Sequence, residues 1–417
     1  MRQKLEFQAD RIETVLALHK VPARVTGGTV TPRWVRFQVL PAVGAKISRI
    51  KNLSEELAAA LGASNCRVSR RGACVAVEVP RDDPQPVRLL PLYSQLIHES
   101  ANEPTTYPPI PPIAAILGLA EDGAPLLIRL PSPDVAHILV AGTTGSGKTV
   151  LLQAMILSLA MANPPPSPRK GALASPIPSV AGGSTDGVSV GEEGRGVDLS
   201  LVLIDPKGHA FVPFEGLPHL VRPIIREVEE TAEALQSLIR LMERRGVAGG
   251  LGEGLGMGRQ PRVVVVIDEL ADLLMVGGRP VQQALTRLTQ RGREAGIHII
   301  AATQKPTTAV LGPLVKANFP VRLTGRVTSI EDARTATGWS GTGAERLMGR
   351  GDFLAVAEGR ITRFQGAHVS PTEIQEVVTY LARGESVFAS SPFAPPKRPT
   401  SLPRAMSRLA GMLKGGT

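Results

Sequence analysis

The sequence is poor in several residue types that define common protein classes. Only two cysteines, Cys66 and Cys74, occur among 417 residues, and neither has histidine neighbours at the spacing of a zinc site. A disulfide-stabilised secreted fold and a structural zinc domain are therefore not expected, and a reducing cytoplasm is the expected compartment. Aromatic residues make up 3% of the chain, which gives little basis for recognising single-stranded nucleic acid by base stacking.

Long hydrophobic runs are also missing. The longest helix-like apolar stretch, 150–162, is interrupted by Gln153 and Ser158 and is shorter than the roughly 20 residues that a membrane-spanning helix needs. The first ten residues, MRQKLEFQAD, lack the apolar segment of a secretory signal. The sequence therefore predicts no membrane span and no secretory leader.

Acidic residues are the third deficit. The chain has 37 Asp and Glu against 47 Lys and Arg, a net charge of +10. A basic protein favours polyanions such as nucleic acid or an anionic membrane surface, although a solvated arginine-rich surface gives the same balance. With 43% apolar residues, the chain is neither disordered nor collagen-like, and its length predicts two or three folded domains.

Residues 1–103 are predicted to form a small α+β domain, followed by a proline-rich linker and lead-in at 104–125. The predicted elements are an amphipathic helix at 5–19, a hairpin at 21–40 that turns at Gly27-Gly28, a helix at 52–61 capped by Asn52 or Ser54 and ended by Gly62, and a second hairpin around 70–72.

Residues 126–385 alternate apolar runs with helical patterns, which predicts an α/β domain with a parallel sheet and crossover helices. Buried strands are expected at 137–141, 201–204, 263–267 and 298–302, with a helix at 228–244. Residues 163–196 hold many prolines and glycines and are expected to be a flexible insertion. The basic, proline-rich tail at 386–417 is either an arm that touches DNA or lipid, or a solvated end.

A glycine-rich segment matches the phosphate-binding pattern G-x-x-x-x-G-K-[ST] and lies between a predicted strand and a predicted helix. It comprises Gly142, Thr143, Thr144, Gly145, Ser146, Gly147, Lys148 and Thr149. The glycines allow backbone N–H groups to face an anion, Lys148 is expected to reach the β- and γ-phosphates, and the Thr149 hydroxyl to ligate Mg²⁺. The predicted ligands are ATP and Mg²⁺.

Two acidic residues follow a fully apolar strand. Asp268 and Glu269 come directly after 263–267, where charge is costly unless it meets a cation or water. We expect Asp268 to hold the Mg²⁺ and Glu269 to polarise an attacking water. The pair predicts ATP hydrolysis and not nucleotide binding alone.

A third apolar strand, 298–302, ends in Thr303 and Gln304. Strand carboxyl ends border the ligand crevice of a parallel sheet, so both side chains are expected to sense the γ-phosphate or the water. Five arginines flank this strand in sequence: Arg287, Arg291, Arg293, Arg322 and Arg326. Arg293 is the first candidate for an arginine donated to a neighbouring subunit and Arg291 the second, with a plain surface role equally open for either.

The order of motifs resembles the FtsK/SpoIIIE family of DNA-translocating motors. Over 126–385 the matching segments are GTTGSGKT, LIDPKGHAF, FEGLPHL, VVVVIDELADLL, AGIHIIAATQKP, VKANFPVRL and GRGDFL. In the N-terminal unit, LPAVG at 40–44 and KISRI at 46–50 are similar to the family's α domain.

This resemblance implies a RecA-like P-loop NTPase core that carries the N-terminal unit as a collar. It also implies a homo-oligomer, a hexameric ring that threads double-stranded DNA and hydrolyses ATP between adjacent subunits, in chromosome or mobile-element segregation or transfer. Its channel loops would touch phosphates and not bases. The family's membrane-spanning domain has no counterpart in the sequence, and the residues after Ala382 are too few for the family's winged helix.

Two other functions remain open at this stage. A related motor could move protein, as type VII secretion ATPases do, although those typically carry several motor modules and this chain has one phosphate-binding motif. A ring that only binds nucleotide and positions partners is a further alternative. The intact Lys148, Thr149, Asp268 and Glu269 argue against it.

Overall fold

The computed structural model describes residues 2–31, 33–63, 65–72, 74–102, 110–164, 199–249, 261–306 and 318–384. The predicted insertion, apart from its first two residues, and the predicted basic tail lie outside these ranges. Among the helices in the described ranges, none is both long enough and apolar enough to cross a membrane.

The N-terminal unit is an antiparallel four-stranded sheet in the order β1-β2-β4-β3, covered by helices. Its elements are α1 (Arg2–Leu18), β1 (Ala23–Val30), β2 (Trp34–Pro41), α2 (Ile47–Asn52), α3 (Ser54–Leu61), β3 (Arg67–Arg71) and β4 (Cys74–Pro80). Leu16 from α1, Phe37 from β2 and Leu57 from α3 meet in its buried core. The predicted small α+β fold is confirmed.

The first hairpin turns at a different place from the one predicted. Gly27 and Gly28 lie inside β1, where the pairing with β2 shifts register, and the turn falls at 31–33. A Cβ on Gly28 would lie 2.8 Å from the carbonyl oxygen of Arg36. These glycines therefore serve close strand approach and a bulge, which glycine permits as readily as a turn.

The helix predicted at 52–61 is two helices. α2 ends at Asn52 and α3 begins at Ser54, with Leu53 between them and no side-chain cap at the start of α3. The predicted capping by Asn52 or Ser54 is therefore wrong. Gly62 ends α3 in the left-handed conformation, with φ +64°, as expected for a glycine C-cap.

The larger unit is built on a mixed ten-stranded sheet with the order β7-β6-β14-β13-β12-β8-β11-β10-β9, and β5 pairs with β14. Its strands are β5 (Val87–Arg88), β6 (Ala114–Ala120), β7 (Pro125–Arg129), β8 (Ile138–Ala141), β9 (Leu199–Ile204), β10 (Arg262–Ile267), β11 (Ile297–Thr303), β12 (Val321–Thr324), β13 (Asp352–Ala357) and β14 (Arg360–His368). Its α-helices are α4 (Leu89–Asn102), α5 (Lys148–Ala162), α6 (Val228–Gly249), α7 (Leu270–Arg291), α8 (Ile330–Thr337) and α9 (Pro371–Ala382).

The centre of this sheet is parallel, as the sequence predicts. β9, β10, β11, β8 and β12 pair in parallel, and their apolar runs are buried. Helix α5 packs with α4 and α9 in one hydrophobic core, while α6 and α7 pack in a second core. The sheet is thus covered on both faces, which explains why its central strands have no polar alternation.

An antiparallel extension was not predicted. β13, β14, β6 and β7 continue the sheet from β12, each antiparallel to its neighbour. β6 and β7 fall largely in the segment expected to be linker and lead-in, and β5 with α4 precedes it yet packs on the large sheet. Proline-rich composition between these elements concealed apolar strands whose partners lie more than 200 residues later.

A buried ion network joins the two units. The Arg363 guanidinium donates to Asp352 on β13, with Nε–Oδ1 2.7 Å and Nη2–Oδ2 2.8 Å, and to Glu78 on β4, with Nη1–Oε2 2.9 Å. Arg36 Nε donates to the other oxygen of Glu78 at 3.0 Å. The ring of Trp34 lies 4.8 Å from the Arg363 guanidinium carbon. Glu78 and Asp352 are each 2% exposed and Arg363 7%, so every charge in the network depends on its partners.

Arg363→Met is expected to lower the free energy of unfolding by about 3–5 kcal/mol, because it leaves the buried Glu78 and Asp352 carboxylates without their cation. Urea unfolding measures the change. Lys4→Met is the matched control, since the Lys4–Asp82 pair is exposed and should cost less than about 1 kcal/mol. Equal losses in both variants would contradict a structural role for the network.

A histidine pair predicts acid sensitivity of the fold. His137 and His298 are 1% and 0% exposed, and burial lowers their pKa values to about 3 and about 4. The folded chain keeps both neutral where the unfolded chain takes up protons, below pH 6.5. Their contribution to stability is therefore complete above pH 6.5 and declines as the pH falls toward 4, by up to about 1.4 kcal/mol per pH unit and histidine.

Urea midpoints between pH 7 and pH 5 test this expectation. The double variant His137→Gln, His298→Gln should show a shallower decline than the wild type over that range. His19→Gln, at an exposed position, should leave the decline unchanged. An unaltered slope in the double variant would refute the assignment.

Candidate nucleotide-binding site

The phosphate-binding motif forms the loop between β8 and α5, as predicted. Gly142, Gly145 and Gly147 have φ angles of +151°, +79° and +99°, which glycine adopts without the strain that a Cβ brings. Gly142 is also tightly packed, because a Cβ there would lie 2.8 Å from the Ser146 Oγ. Thr143 anchors the loop to β12 through its backbone N, which donates to the Arg326 carbonyl at 2.8 Å.

Lys148 is the first residue of α5 and only 6% exposed. Its Nζ donates to the carbonyl oxygen of Thr143 at 3.1 Å, within the loop. Burial lowers its pKa to about 8, against the opposing effect of Glu269 and Asp268. A buried ammonium at the start of a helix suits a phosphate, which offers a charged acceptor in place of a neutral carbonyl.

Thr149 and Asp268 bring two hard oxygen ligands together. The Thr149 hydroxyl lies 3.5 Å from Oδ1 of Asp268. Burial, with added repulsion from Asp205 and Glu269, raises the pKa of Asp268 to about 6. A cation beside Asp268 would relieve that repulsion, and hydroxyl and carboxylate oxygens are ligands that Mg²⁺ accepts together with phosphate. The residues present therefore fit the predicted metal.

Glu269 lies at the start of α7 and is 3% exposed. Its carboxylate accepts from the backbone N of Gln304 at 3.1 and 3.3 Å, and Lys207 Nζ lies 3.5 Å away. The Gln304 side chain accepts from the Thr144 hydroxyl at 2.9 Å. The fold thus brings together the loop, the acidic pair and Gln304, because β8, β10 and β11 are parallel and end at the same edge.

Sequence reasoning missed two charged residues at this edge. Asp205 follows β9, is fully buried, and accepts from the backbone N atoms of Gly208, Ala210 and Phe211. Lys207 bridges Glu269 and Asp272, with Nζ 3.2 Å from the latter. Both directly follow a buried apolar strand, and that signal, which identified Asp268, also applied to them.

The arginine candidates lie elsewhere. Arg293 is exposed in the turn between α7 and β11, at the amino-terminal edge of the sheet, opposite the phosphate-binding loop of its own chain. Arg291 ends α7, and Arg287 pairs with Glu243. Arg322 is partly buried and donates to the Thr335 carbonyl at 3.3 Å. Donation of Arg293 or Arg291 to a neighbouring subunit therefore stays a prediction.

A glycine loop that opens a helix after a central parallel strand, with an acidic pair on a neighbouring strand, defines a P-loop NTPase. The family comparisons specify the class further: the model of the FtsK alpha domain matches residues 1–81, and the model of the FtsK/SpoIIIE family matches 112–167, 196–248 and 253–308. The chain belongs to the FtsK/SpoIIIE family of P-loop ATPases.

Curated relatives agree with this assignment. The chain is 32% identical over 400 residues to the DNA translocase FtsK of Sporosarcina ureae, covering 90% of the chain and 46% of the relative. It is 31% identical over 415 residues to the DNA translocase FtsK of Listeria monocytogenes, covering 94% and 49%. The chain thus spans about half the length of these relatives.

Solved structures share the fold. The conjugation coupling protein TcpA of pCW3, in a monomer form with ATPγS, has a TM-score of 0.52 and 18% identity, covering 89% of this chain and 99% of that one. The cytoplasmic domain of the type VII secretion ATPase EccC of Thermomonospora curvata has a TM-score of 0.52 and 21% identity, covering 72% and 34%. The predicted P-loop α/β core behind a small α+β domain is confirmed.

Proposed function

We propose that the protein is an ATP-driven double-stranded DNA translocase that acts in the cytoplasm as a homo-oligomeric ring, a hexamer by the family resemblance. The observation that carries the proposal is the closed set of contacts from Thr144 through Gln304 to Glu269. It links the phosphate-binding loop to the residue best placed to activate water. The similarity to DNA translocases over about nine-tenths of the chain supports DNA as the load.

The site residues have complementary roles in this proposal. Lys148 and the loop N–H groups bind the phosphates of ATP, and Glu269 accepts the proton of the attacking water. Bound Mg²⁺, held by Thr149 and Asp268, neutralises charge on the phosphates. Gln304 senses whether the γ-phosphate is present, because its side chain contacts the loop while its backbone N contacts Glu269. Arg293 of a neighbouring subunit, or Arg291, stabilises the transferring phosphoryl group.

The hydrolysis rate with and without duplex DNA tests the coupling. We expect linear duplex to accelerate ATP hydrolysis, and the chain to displace a third strand annealed to that duplex only while ATP is consumed. A rate indifferent to DNA would contradict the proposal. Recovery of secreted polypeptides without DNA from pull-downs would favour the protein-moving alternative.

Salt provides an independent prediction about the DNA contact. If lysines and arginines grip phosphates, the logarithm of duplex affinity should fall linearly with the logarithm of salt concentration, with a slope of about −0.9 per phosphate contacted. Fluorescence anisotropy of a labelled duplex between low and physiological salt measures the slope, and random-sequence duplexes should give similar values. A flat dependence would contradict phosphate contacts as the source of affinity.

A further inference from the structure

A cavity of about 300 Å³ lies beside the first turn of α5, at the lower end of the range for small-molecule pockets, ~300–1,000 Å³. Three parts of the chain form its walls. They are the start of α5 with Gly147 and Val150, the β13–β14 hairpin with Phe353 and Gln365, and a wall from the N-terminal side with Arg33 and Pro86. Nothing in the phosphate-binding motif itself requires this third wall.

The position of the cavity relative to the phosphate site gives it a direction. Lys148, Thr149 and Asp268 mark where the terminal phosphates and the metal belong, and the cavity begins at Gly147 and continues along α5 through Val150 and Leu151. A nucleoside triphosphate is a linear molecule with its phosphates at one end. If its terminal phosphates occupy the loop, its nucleoside leaves along this side of α5.

The walls have the chemistry that a nucleoside needs. Val150, Pro84 and Pro86 offer apolar surface for the face of a flat base. Gln365 and His368 add polar groups, and Nδ1 of His368 is buried without a hydrogen-bond partner among the described residues. A buried polar atom without a partner is uncommon in folded proteins, and a ligand bonded to it would satisfy it.

Arg33 joins this wall to the phosphate-binding loop. Its Nη1 donates to the carbonyl oxygens of Gly349, at 3.1 Å, and Arg350. The same segment then donates to the loop: the backbone N of Arg350 lies 2.9 Å from the Gly145 carbonyl oxygen, and that of Gly351 2.8 Å from the Ser146 carbonyl oxygen. Arg33 therefore holds the segment that lies directly on the loop.

Gln365 completes the contact. Its Nε2 donates to the Arg350 carbonyl at 3.1 Å, and its Oε1 lies 3.4 Å from Arg33 Nη1. Gly351 has no room for a side chain here, since a Cβ would lie 2.6 Å from that same Nε2. Three separate parts of the sequence thus converge on one side of the cavity.

We infer that this cavity binds the nucleoside of ATP and that the N-terminal side, through Arg33, Pro84 and Pro86, forms one wall of the nucleotide site in the same chain. The inference deepens the proposed function and rests on it only for the identity of the nucleotide. It makes the N-terminal unit part of the ATP site as well as a collar on the motor.

The test compares two probes by isothermal titration calorimetry on the full chain with Mg²⁺: a non-hydrolysable ATP analogue, and tripolyphosphate, which lacks the nucleoside. Val150→Phe, which fills the cavity, should weaken the analogue at least about tenfold, equivalent to ~1.4 kcal/mol, and leave tripolyphosphate binding unchanged. Arg33→Gln should weaken the analogue more than tripolyphosphate. Arg49→Gln, at an exposed position on α2, is the matched control and should change neither affinity.

Gln365→Leu provides a second variant if Val150→Phe does not fold, and thermal unfolding checks both. Equal effects on the two probes, or no effect on either, would overturn the inference. Because no DNA is present, the outcome is independent of the translocase proposal: hydrolysis indifferent to duplex would sink the latter and leave a selective loss of analogue binding intact.

Discussion

Lys148→Ala is expected to lower the turnover number of ATP hydrolysis by about 10²–10³-fold, the usual loss when one preorganised donor to a developing charge is removed. The side chain is buried, and its amine has only a loop carbonyl as a hydrogen-bond acceptor. Its alternative partner, a phosphate, carries more charge. Steady-state phosphate release with saturating duplex DNA measures the effect, and strand displacement should stop with it.

Two observations guard this expectation against a trivial explanation. Lys51→Ala removes an exposed lysine of the N-terminal unit and should leave the rate unchanged. Thermal unfolding of Lys148→Ala should match the wild type, because its removal also removes the cost of burying an ammonium. Continued movement along DNA by a folded Lys148→Ala chain would refute the proposed coupling.

Glu269→Gln is expected to bind ATP with nearly wild-type affinity and to hydrolyse it about 10²–10⁴-fold more slowly, the range for loss of a general base. A glutamine is nearly isosteric and its carbonyl oxygen can still accept from the backbone N of Gln304, so the local geometry should survive. What it loses is the ability to take a proton from water. Single-turnover hydrolysis alongside equilibrium binding separates the two effects.

Asp272→Asn is the matched control for this variant. Asp272 shares Lys207 with Glu269 but is about two-fifths exposed, and an exposed ion pair is worth no more than about 1 kcal/mol. Its rate should therefore remain close to that of the wild type. A wild-type turnover number for Glu269→Gln would remove Glu269 from the role of base, whatever Asp272→Asn does.

The parts of the site that could be predicted are those written in contiguous sequence. The glycines and Lys148 follow one strand, and Asp268 and Glu269 follow another. Because parallel strands bring their carboxyl ends to one edge, the meeting of Glu269 with Gln304 also followed. Asp205 and Lys207 obey the same rule, yet alone they resemble any polar turn after a strand.

Long-range contacts had no local signal. Arg33 and Gly349 are separated by 316 positions, and no periodicity connects them. The antiparallel strands β6 and β7 were lost for a related reason, because an apolar run shows burial but not the direction of its partner. The misplaced turn at Gly27-Gly28 has a different cause: glycine permits both a reversal and a close strand contact, and only tertiary packing decides between them.

The charges shared between β4 and the β13–β14 hairpin have a consequence for dissecting the molecule. A fragment that starts at residue 110 would keep Arg363 and Asp352 but lose Glu78, and would also strip β5 from β14 and α4 from the core beneath it. Poor behaviour of such a truncated motor would report a missing counter-ion and uncovered leucines, and not a defect in its engine. Expression of the ATPase half alone therefore calls for a redesigned seam around Arg363.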